Sequence, residues 1–207
     1  MFALVKDNKI EKIFTRPVGI IIDNNQYPKE VFTLWTDEER KNIGIYEVIT
    51  DSTNKKDESY YINTDEEFTF GDEKVTRSWG TATSKRLEDE DAKDENGNNI
   101  LDEDGNQVIN YGLKTEKKRI IKQQASGLLN PTDWYIIKAT EVESYNVPEN
   151  ITNFRSEVRT TSNEMETKID ACDNVEELKK LYEYVNVGTL EKPIMERPLG
   201  EFPKEVL

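Results

Sequence analysis

The stretch ASGLLNPTDWYIIKATEVESYNVPENITNFRSEVRTTSNEMETKIDAC, residues 125–172, decides the helical half of the fold. After Pro148, its apolar residues recur at intervals of three and four, as the buried face of an amphipathic helix requires. These residues are Ile151, Phe154, Val158, Met165, Ile169 and Cys172. Proline suits a first helical turn because its missing amide hydrogen would have no partner there in any case. The pattern predicts a long helix over 148–172.

Shorter helices are predicted on either side of the long one. Residues 116–126 have helical composition, and Gly127 follows them as a stop signal. Asn174 is typical of a helix N-terminus and opens a third helix. Only a couple of residues separate this third helix from the long one, so the two are expected to form an antiparallel hairpin. Thr161 and Lys168 interrupt the apolar stripe, which favours ordinary core packing over a coiled-coil seam.

The N-terminal part favours strands. Runs of β-branched and aromatic residues alternate with turn dipeptides there, as in antiparallel hairpins. The predicted strands cover 2–6, 9–14, 18–22, 31–35 and 45–49, followed by a hairpin centred on Gly71-Asp72. Thr36 and Glu39 have the spacing of a capping box, and Gly44 is expected to end the short helix that the box begins. The combination predicts an α+β fold.

We predict five segments in this α+β chain. They are a small α+β docking unit (1–50), a β-hairpin region (51–83), an acidic hairpin insertion (84–111), a helical module (112–187) and an extended C-terminal arm (188–207). The fold class is thus a small β-rich N-terminal part with hairpins, a C-terminal antiparallel helical hairpin and an extended proline-containing tail.

The composition argues against covalent chemistry. The 207 residues include no histidine, which excludes histidine-based catalytic triads and zinc sites. The chain has no glycine-rich phosphate-binding motif, and its single cysteine, Cys172, lies on the apolar stripe as a small buried residue. The tryptophans Trp35, Trp79 and Trp134 are expected to anchor the core. We therefore predict no catalytic residue, no cofactor and no metal ligand.

The net charge of the chain limits the classes of molecule that it is expected to bind. The chain has 42 acidic and 28 basic residues, a net charge of −14, which argues against nucleic acid or an anionic membrane as a partner. No apolar run approaches the ~20 residues that a membrane helix needs. Lys6 and Asp7 interrupt any signal-peptide core, so a soluble protein is expected. Residues 51–110 hold 17 acidic and 7 basic residues, whereas 112–126 are basic. Internal pairing, separate partner surfaces and an ordinary solvated surface all remain open as explanations of this asymmetry.

A tandem near-repeat occupies the most acidic segment. DENGNNI (94–100) and DEDGNQV (102–108) each contain a turn dipeptide ending in glycine, so a protruding hairpin or two successive turns are expected. Acidic residues beside glycine also occur in EF-hand calcium loops. Aligning either glycine with the invariant glycine of that loop places an apolar residue at the first ligand position. The repeat is therefore predicted to form turns and not a calcium site.

The C-terminal segment 188–207 is rich in proline. Its prolines recur every five residues, which forbids a regular helix and favours an extended arm. We expect such an arm to lie in a groove of its own body or of a neighbouring molecule, with a frayed terminus as the alternative, and deleting it is expected to spare the fold. The residues assigned to partner contact are Pro193, Ile194, Met195, Pro198, Leu199 and Phe202.

Two motifs resemble a module of tailed bacteriophages, in which an LLxxTDW element precedes a helix of the form Pxx[IVL]xx[FY]Rxx[VL]R. The matching residues are Leu128, Leu129, Thr132, Asp133, Trp134, Pro148, Ile151, Phe154, Arg155, Val158 and Arg159. The lead-in VTRSWGTATSKRL (75–87) is also similar to that of these proteins. The module occurs in tail-fibre assembly chaperones and in small tail-associated structural proteins, and it carries no catalytic residues.

The resemblance implies a non-enzymatic protein of the tail, baseplate or fibre attachment site that acts through protein–protein contacts. Its partners would be other phage tail proteins, within a symmetric homo-oligomeric assembly. It would be made in the host cytoplasm and located in the tail of the virion. Alternatives are a transient tail-fibre assembly chaperone, an acidic DNA-mimic inhibitor and a glycan-cleaving enzyme that uses a carboxylate pair.

Overall fold

The computed structural model describes residues 1–204 and divides into two compact units, Met1–Ser84 and the chain from Lys85 onward. The first unit is built of strands and the second mainly of helices, which confirms the α+β class. The last three residues of the predicted arm lie outside the described residues.

The first unit is organised around one five-stranded sheet. The strands of the whole unit are β1 Phe2–Lys6, β2 Lys9–Phe14, β3 Ile20–Ile22, β4 Asn25–Tyr27, β5 Ile45–Thr50, β6 Tyr61–Ile62, β7 Glu67–Gly71, β8 Lys74–Ser78 and β9 Thr83–Ser84. The sheet order is β2-β1-β5-β8-β7, with β5 and β8 parallel and the other neighbours antiparallel. The pairs β3–β4 and β6–β9 form separate two-stranded ribbons. The sheet thus combines strands from both predicted segments, 1–50 and 51–83.

Two-residue turns close three of these strand pairs. Both residues of Asp7-Asn8, Asp23-Asn24 and Asp72-Glu73 have positive φ, as the tight turn that matches the twist of a hairpin requires. The predicted connection at Asp7-Asn8 is confirmed. The β7–β8 turn lies one residue later than predicted, because Gly71 still pairs with Lys74 in the ladder.

Strand β1 is buried on both faces. Ala3 and Val5 belong to one apolar cluster with Val48 and Val75. The alternate residues of the strand, including Phe2, pack against a second cluster on the opposite face. Because successive side chains of a strand point to opposite faces, one strand joins the two clusters into a continuous core.

The segment that precedes the first α-helix differs from its prediction. The expected strand over 31–35 is wrong: Lys29–Phe32 forms a 3-10 helix that follows Pro28 and buries its last two residues. The Phe32 ring lies 5.1 Å from the ring of Phe2 and 5.2 Å from that of Phe14. Packing of this aromatic ring, which local propensity does not report, outweighs the β-branched character of the run.

The capping box at the start of α1, Asp37–Asn42, is confirmed. The Thr36 amide donates to Glu39 Oε2 at 2.7 Å, and the Glu39 amide donates to Thr36 Oγ1 at 3.3 Å. These hydrogen bonds, first of all the one from the Thr36 backbone amide, lower the pKa of the Glu39 carboxyl. Gly44 follows the helix with φ +80°, as predicted, and leads the chain into β5.

The second unit contains four α-helices among its described residues, α2 Leu113–Leu129, α3 Asp133–Glu141, α4 Glu149–Asp170 and α5 Val175–Lys180. A 3-10 turn, Asn130–Thr132, joins α2 to α3. Its strands are the pairs β10 Glu90–Asp91 with β11 Ile109–Asn110, and β12 Val185–Asn186 with β13 Met195–Glu196. The predicted long helix is confirmed, with Pro148 at its N-cap.

The antiparallel partner of α4 is α2. Lys118 near the start of α2 bonds Asp170 at the end of α4 at 2.6 Å, whereas Arg155 near the start of α4 reaches Leu129 at the end of α2. The expectation that the third predicted helix would be this partner is wrong, since α5 has only six residues. The predicted stop at Gly127 is also wrong. A helical glycine costs only about 1 kcal/mol, and the following leucines pack against α4.

The lysines of α2 pair within their own unit. Lys114 contacts Glu88 at 2.5 Å, Lys118 contacts Asp170 at 2.6 Å, and Lys122 contacts Glu166 at 3.3 Å. These three basic residues therefore pair with acidic residues of the same unit, which is the first of the explanations for the uneven charge given above.

The tandem repeat forms two successive turns with the same hydrogen bonds. Asp94 Oδ1 accepts from the amides of Asn96 and Asn98, both at 2.9 Å. Asp102 accepts from the equivalent amides eight residues later, at 3.0 and 2.8 Å. A cyclic set of backbone bonds joins the turns: the amide of Ala92 donates to Val108, that of Val108 to Ile100, and that of Ile100 to Ala92. The acidic residues thus act first as acceptors for their own backbone.

We expect Gly44→Ala to lower the free energy of unfolding of the first unit by more than about 1 kcal/mol. The left-handed backbone alone costs a side chain roughly 1–2 kcal/mol, and the new Cβ would lie 2.6 Å from the Val5 carbonyl oxygen. Urea denaturation measures the loss. Gly71→Ala is the control, because its Cβ would meet nothing within 4 Å. Equal losses in both variants would contradict this explanation.

The two turns of the repeat are expected to loosen in acid. The hydrogen bond from the backbone amide of Asn98 is the main cause that lowers the pKa of the Asp94 carboxyl, and that from Asn106 does so for Asp102. A lowered folded-state pKa means that this local stability is complete above the ordinary aspartate range and is lost as the pH falls through the lowered value. Amide protection of Asn98 and Asn106 should therefore fall together.

The variant Asp94→Asn supplies an internal control for this titration. Its amide oxygen remains an acceptor but does not titrate, so protection at Asn98 should lose its acid dependence while Asn106 keeps it. Hydrogen exchange followed by NMR measures both. Unaltered acid dependence at Asn98 would refute the assignment to Asp94.

Candidate protein-binding surface

Residues of the two motifs converge on the buried guanidinium of Arg155. Its Nη1 donates to the Leu129 carbonyl oxygen at 2.9 Å and to the Thr132 hydroxyl at 2.5 Å. The same nitrogen lies 2.8 Å from Asp133 Oδ1. The Thr132 hydroxyl in turn donates to the Leu129 carbonyl at 2.7 Å. One side chain of α4 therefore ties down the turn that joins α2 to α3.

An apolar cluster lies beside this polar network. Leu128 and Leu129, as expected, pack towards α4 against a buried group formed by Ala125, Phe154 and Val158. Phe154 is the neighbour of Arg155 in the sequence, so the first turns of α4 supply both the apolar and the polar contact. Arg159 is exposed and donates to the carbonyl of Arg155 at 3.3 Å.

Trp134 does not anchor the core, and that prediction is wrong. Half of its surface, 50%, is exposed. Its ring stacks on that of Tyr135 with 3.7 Å between the ring centres, and the Lys138 ammonium lies 5.9 Å from its centre. Thr132, two residues earlier, is the buried residue of this motif. The reason is that the turn after α2 directs Thr132 inward at Arg155 and leaves Trp134 on the outer side.

The helix that begins at this point, α3, contains no buried residue. Ile136 and Ile137 are exposed together with Trp134. Short helices in water depend on packing of an apolar face for most of their stability. A nine-residue helix that presents large apolar side chains to solvent therefore has the composition of a protein-binding surface whose partner is absent. We call Trp134, Ile136 and Ile137 the α3 stripe.

The sequence contains a signal for the α3 stripe. Four successive large apolar residues, WYII at 134–137, cannot all face one core on a helix, because neighbouring positions point about 100° apart. Ile136 and Ile137 were not among the predicted site residues. Trp134 was, but with the opposite orientation.

The second half of the C-terminal arm packs on its own body. Leu199 is only 1% exposed, and its amide donates to the Leu181 carbonyl at 2.9 Å. Lys168 on α4 donates to the carbonyls of Pro198 and Leu199 at 2.9 and 3.1 Å. Phe202 packs against the cluster beside Arg155. The assignment of Leu199 to partner contact is therefore wrong, because Leu199 is buried in its own unit. Phe202 is half-buried, so its assignment to partner contact stays a prediction.

The first half of the arm projects as a hairpin. Strands β12 and β13 pair at its base, and the predicted contact residues Pro193, Ile194 and Met195 are exposed on it. Leu190, between the two strands, is 98% exposed. The extended conformation is as predicted, but the segment returns on itself instead of running straight.

The single cysteine has structural surroundings. Cys172 is buried, and burial raises the pKa of its thiol. In the part of the chain that the structure describes, no three cysteine or carboxylate side chains are grouped closely enough to hold a metal ion. None of the helices described combines the length and apolar character needed to cross a membrane.

No protein-family model, curated protein or solved structure matches this chain.

Arg155→Ala is expected to lower the free energy of unfolding by about 1.5–3 kcal/mol, the usual contribution of hydrogen bonds made by a charged group. The substitution would remove the buried cationic donor from the Leu129 carbonyl and the Thr132 hydroxyl, and it would unpair the half-exposed carboxylate of Asp133. Arg159→Ala is the matched control on the same helix and should change stability by less than about 0.5 kcal/mol. Urea titration of both variants tests this, and a tolerant Arg155→Ala protein would refute the role of the network.

Leu199→Ala should cost about 2–5 kcal/mol, as for other fully buried leucines. Leu190→Ala, at the exposed hairpin, should stay within about 0.5 kcal/mol of the parent. Thermal and urea unfolding of the two full-length variants measure the difference. Equal stabilities would show that the end of the arm does not belong to the core in solution, and would restore the expectation that it is dispensable for folding.

Proposed function

We propose that this protein is a non-enzymatic, tail-associated structural protein of a bacteriophage, located at the tail, baseplate or fibre attachment site, and that it acts through contacts with other tail proteins. The observation that carries the proposal is α3, a helix that buries none of its residues and exposes its apolar stripe. Exposed contiguous apolar surface on a folded protein marks an interaction site.

The resemblance of the two motifs to a phage tail module supplies the biological setting. The residues that carry this resemblance include the whole polar network, Leu129, Thr132, Asp133 and Arg155, so the motif encodes the corner on which α3 is mounted. A motif that positions an exposed helix serves binding. This account explains why the motif ends in an outward tryptophan, which a purely internal packing motif would not need.

The charge distribution supports the same function. Lys114, Lys118 and Lys122 of α2 pair within their own unit, so these three lysines do not form a free basic surface. Asp94 and Asp102 of the tandem repeat accept hydrogen bonds from their own turns. This use of carboxylates differs from the continuous acidic face that a DNA mimic needs, which favours a structural protein over an inhibitor.

The test is the presence of the protein in purified particles of the phage that encodes it. Mass spectrometry of these particles should detect it as a stoichiometric component, and immunogold labelling should place it on the tail. Purified protein should also bind tails from a phage in which its gene is deleted.

Two variants connect that binding to the α3 stripe. Ile137→Glu should abolish incorporation while leaving the unfolding curve unchanged, because Ile137 is 56% exposed. Ile62→Glu, at a site 52% exposed in the first unit, is the matched control and should be incorporated normally. A protein absent from particles that binds only unassembled fibres would be a chaperone instead. Absence of both kinds of binding would refute a tail function.

A further inference from the structure

We infer that α3 docks as a single helix into an apolar groove with a basic rim, on a tail protein different from this one. The inference rests on the proposed function and names the kind of partner that the α3 stripe fits.

The α3 stripe is turned outward. Tyr135 and Ala139 are half-buried and mark the side that faces the body of the protein. At about 100° per residue, the α3 stripe spans roughly 160° of the remaining circumference, which it shares with Thr140 and Glu141. A flat helix-to-helix seam uses a narrower stripe than this. A surface of such width is complementary to a groove, which contacts a helix from below and from both sides.

The charge of the chain argues against a second copy as the occupant. Each copy carries a net charge of −14, and Glu141 and Glu143 are exposed at one end of α3. Packing the same acidic surface of two copies together would bring like charges close, which opposes self-association. The charge therefore favours a different protein.

The charges around the stripe define the rim of that groove. Asp133 at the start of α3 is paired with Arg155, and the Lys138 ammonium lies 4.3 Å from the ring centre of Tyr145. Glu141 and Glu143 are exposed at the other end, where the negative end of the helix dipole adds to their charge. A complementary rim carries lysine or arginine, which would also speed association with this acidic chain.

Site-specific photo-crosslinking in the full-length protein tests the proposal. A photoreactive phenylalanine derivative replaces Ile137 in one protein and Ile62 in the control. Each is mixed with tails purified from the gene-deleted phage, irradiated and digested, and the crosslinked peptides are identified by mass spectrometry. The expected product joins position 137 to one tail protein, at an apolar peptide close in that protein's structure to lysine or arginine residues.

The rim is tested separately by reversing charge. The double variant Glu141→Lys and Glu143→Lys should bind gene-deleted tails about tenfold more slowly at low salt, with the difference shrinking as salt is added. The reversal of Glu95 and Glu103 to lysine, at exposed positions of the tandem repeat, is the control for net charge and should have a smaller effect.

The possible outcomes separate the two proposals. If the parent protein neither binds tails nor occurs in particles, the proposed function fails. If it binds but position 137 crosslinks to another copy of this chain, or to nothing while position 62 crosslinks, the groove is refuted and the tail function stands. Equal binding by both charge-reversed proteins would refute the basic rim.

Discussion

The guanidinium of Arg155 is the constraint on which the helical unit depends. It is buried, yet one of its nitrogens satisfies a main-chain carbonyl, a buried hydroxyl and a carboxylate that belong to three different positions of one turn. A buried cation is costly unless its hydrogen bonds are made, so any rotation of the turn is penalised. The direction in which α3 leaves the end of α2 is set by this single side chain.

Fixing α3 from one end would favour the docking that we propose. A helix that is ordered in the free protein would lose less conformational entropy on binding than a flexible segment. Its apolar residues are at the same time kept away from their own core, because the inward position of the turn is already taken by Thr132. The hydrogen bonds around Arg155 thus both stabilise the turn and keep the apolar residues of α3 exposed.

The C-terminal segment shows a similar division. Phe202 packs against the apolar cluster of α2 and α4, and Leu199 is buried. Lys168 on α4 holds the backbone there by donating to the carbonyls of Pro198 and Leu199. The anchored residues hold the projecting hairpin at its base, so its exposed residues remain accessible. A segment that looks like one arm in the sequence is therefore half core and half surface.

The sequence by itself determined those features that depend on neighbours along the chain. The hairpin turn at Asp7-Asn8, the capping box of Thr36 and Glu39, and the long amphipathic helix from Pro148 were all predicted, because caps, turns and helical periodicity are local. The α+β class followed from the same signals. The motif around Arg155 was also visible, and with it the region of the candidate site.

Only the tertiary structure decided which side of each element is covered. Trp134 and Leu199 are both large and apolar, yet one is half exposed and the other is fully buried. The choice of α2 as the partner of α4 and the 3-10 turn at Phe32 likewise arose from packing between distant segments. Whether a residue is buried depends on which other segment packs against it, and the tertiary fold determines that segment.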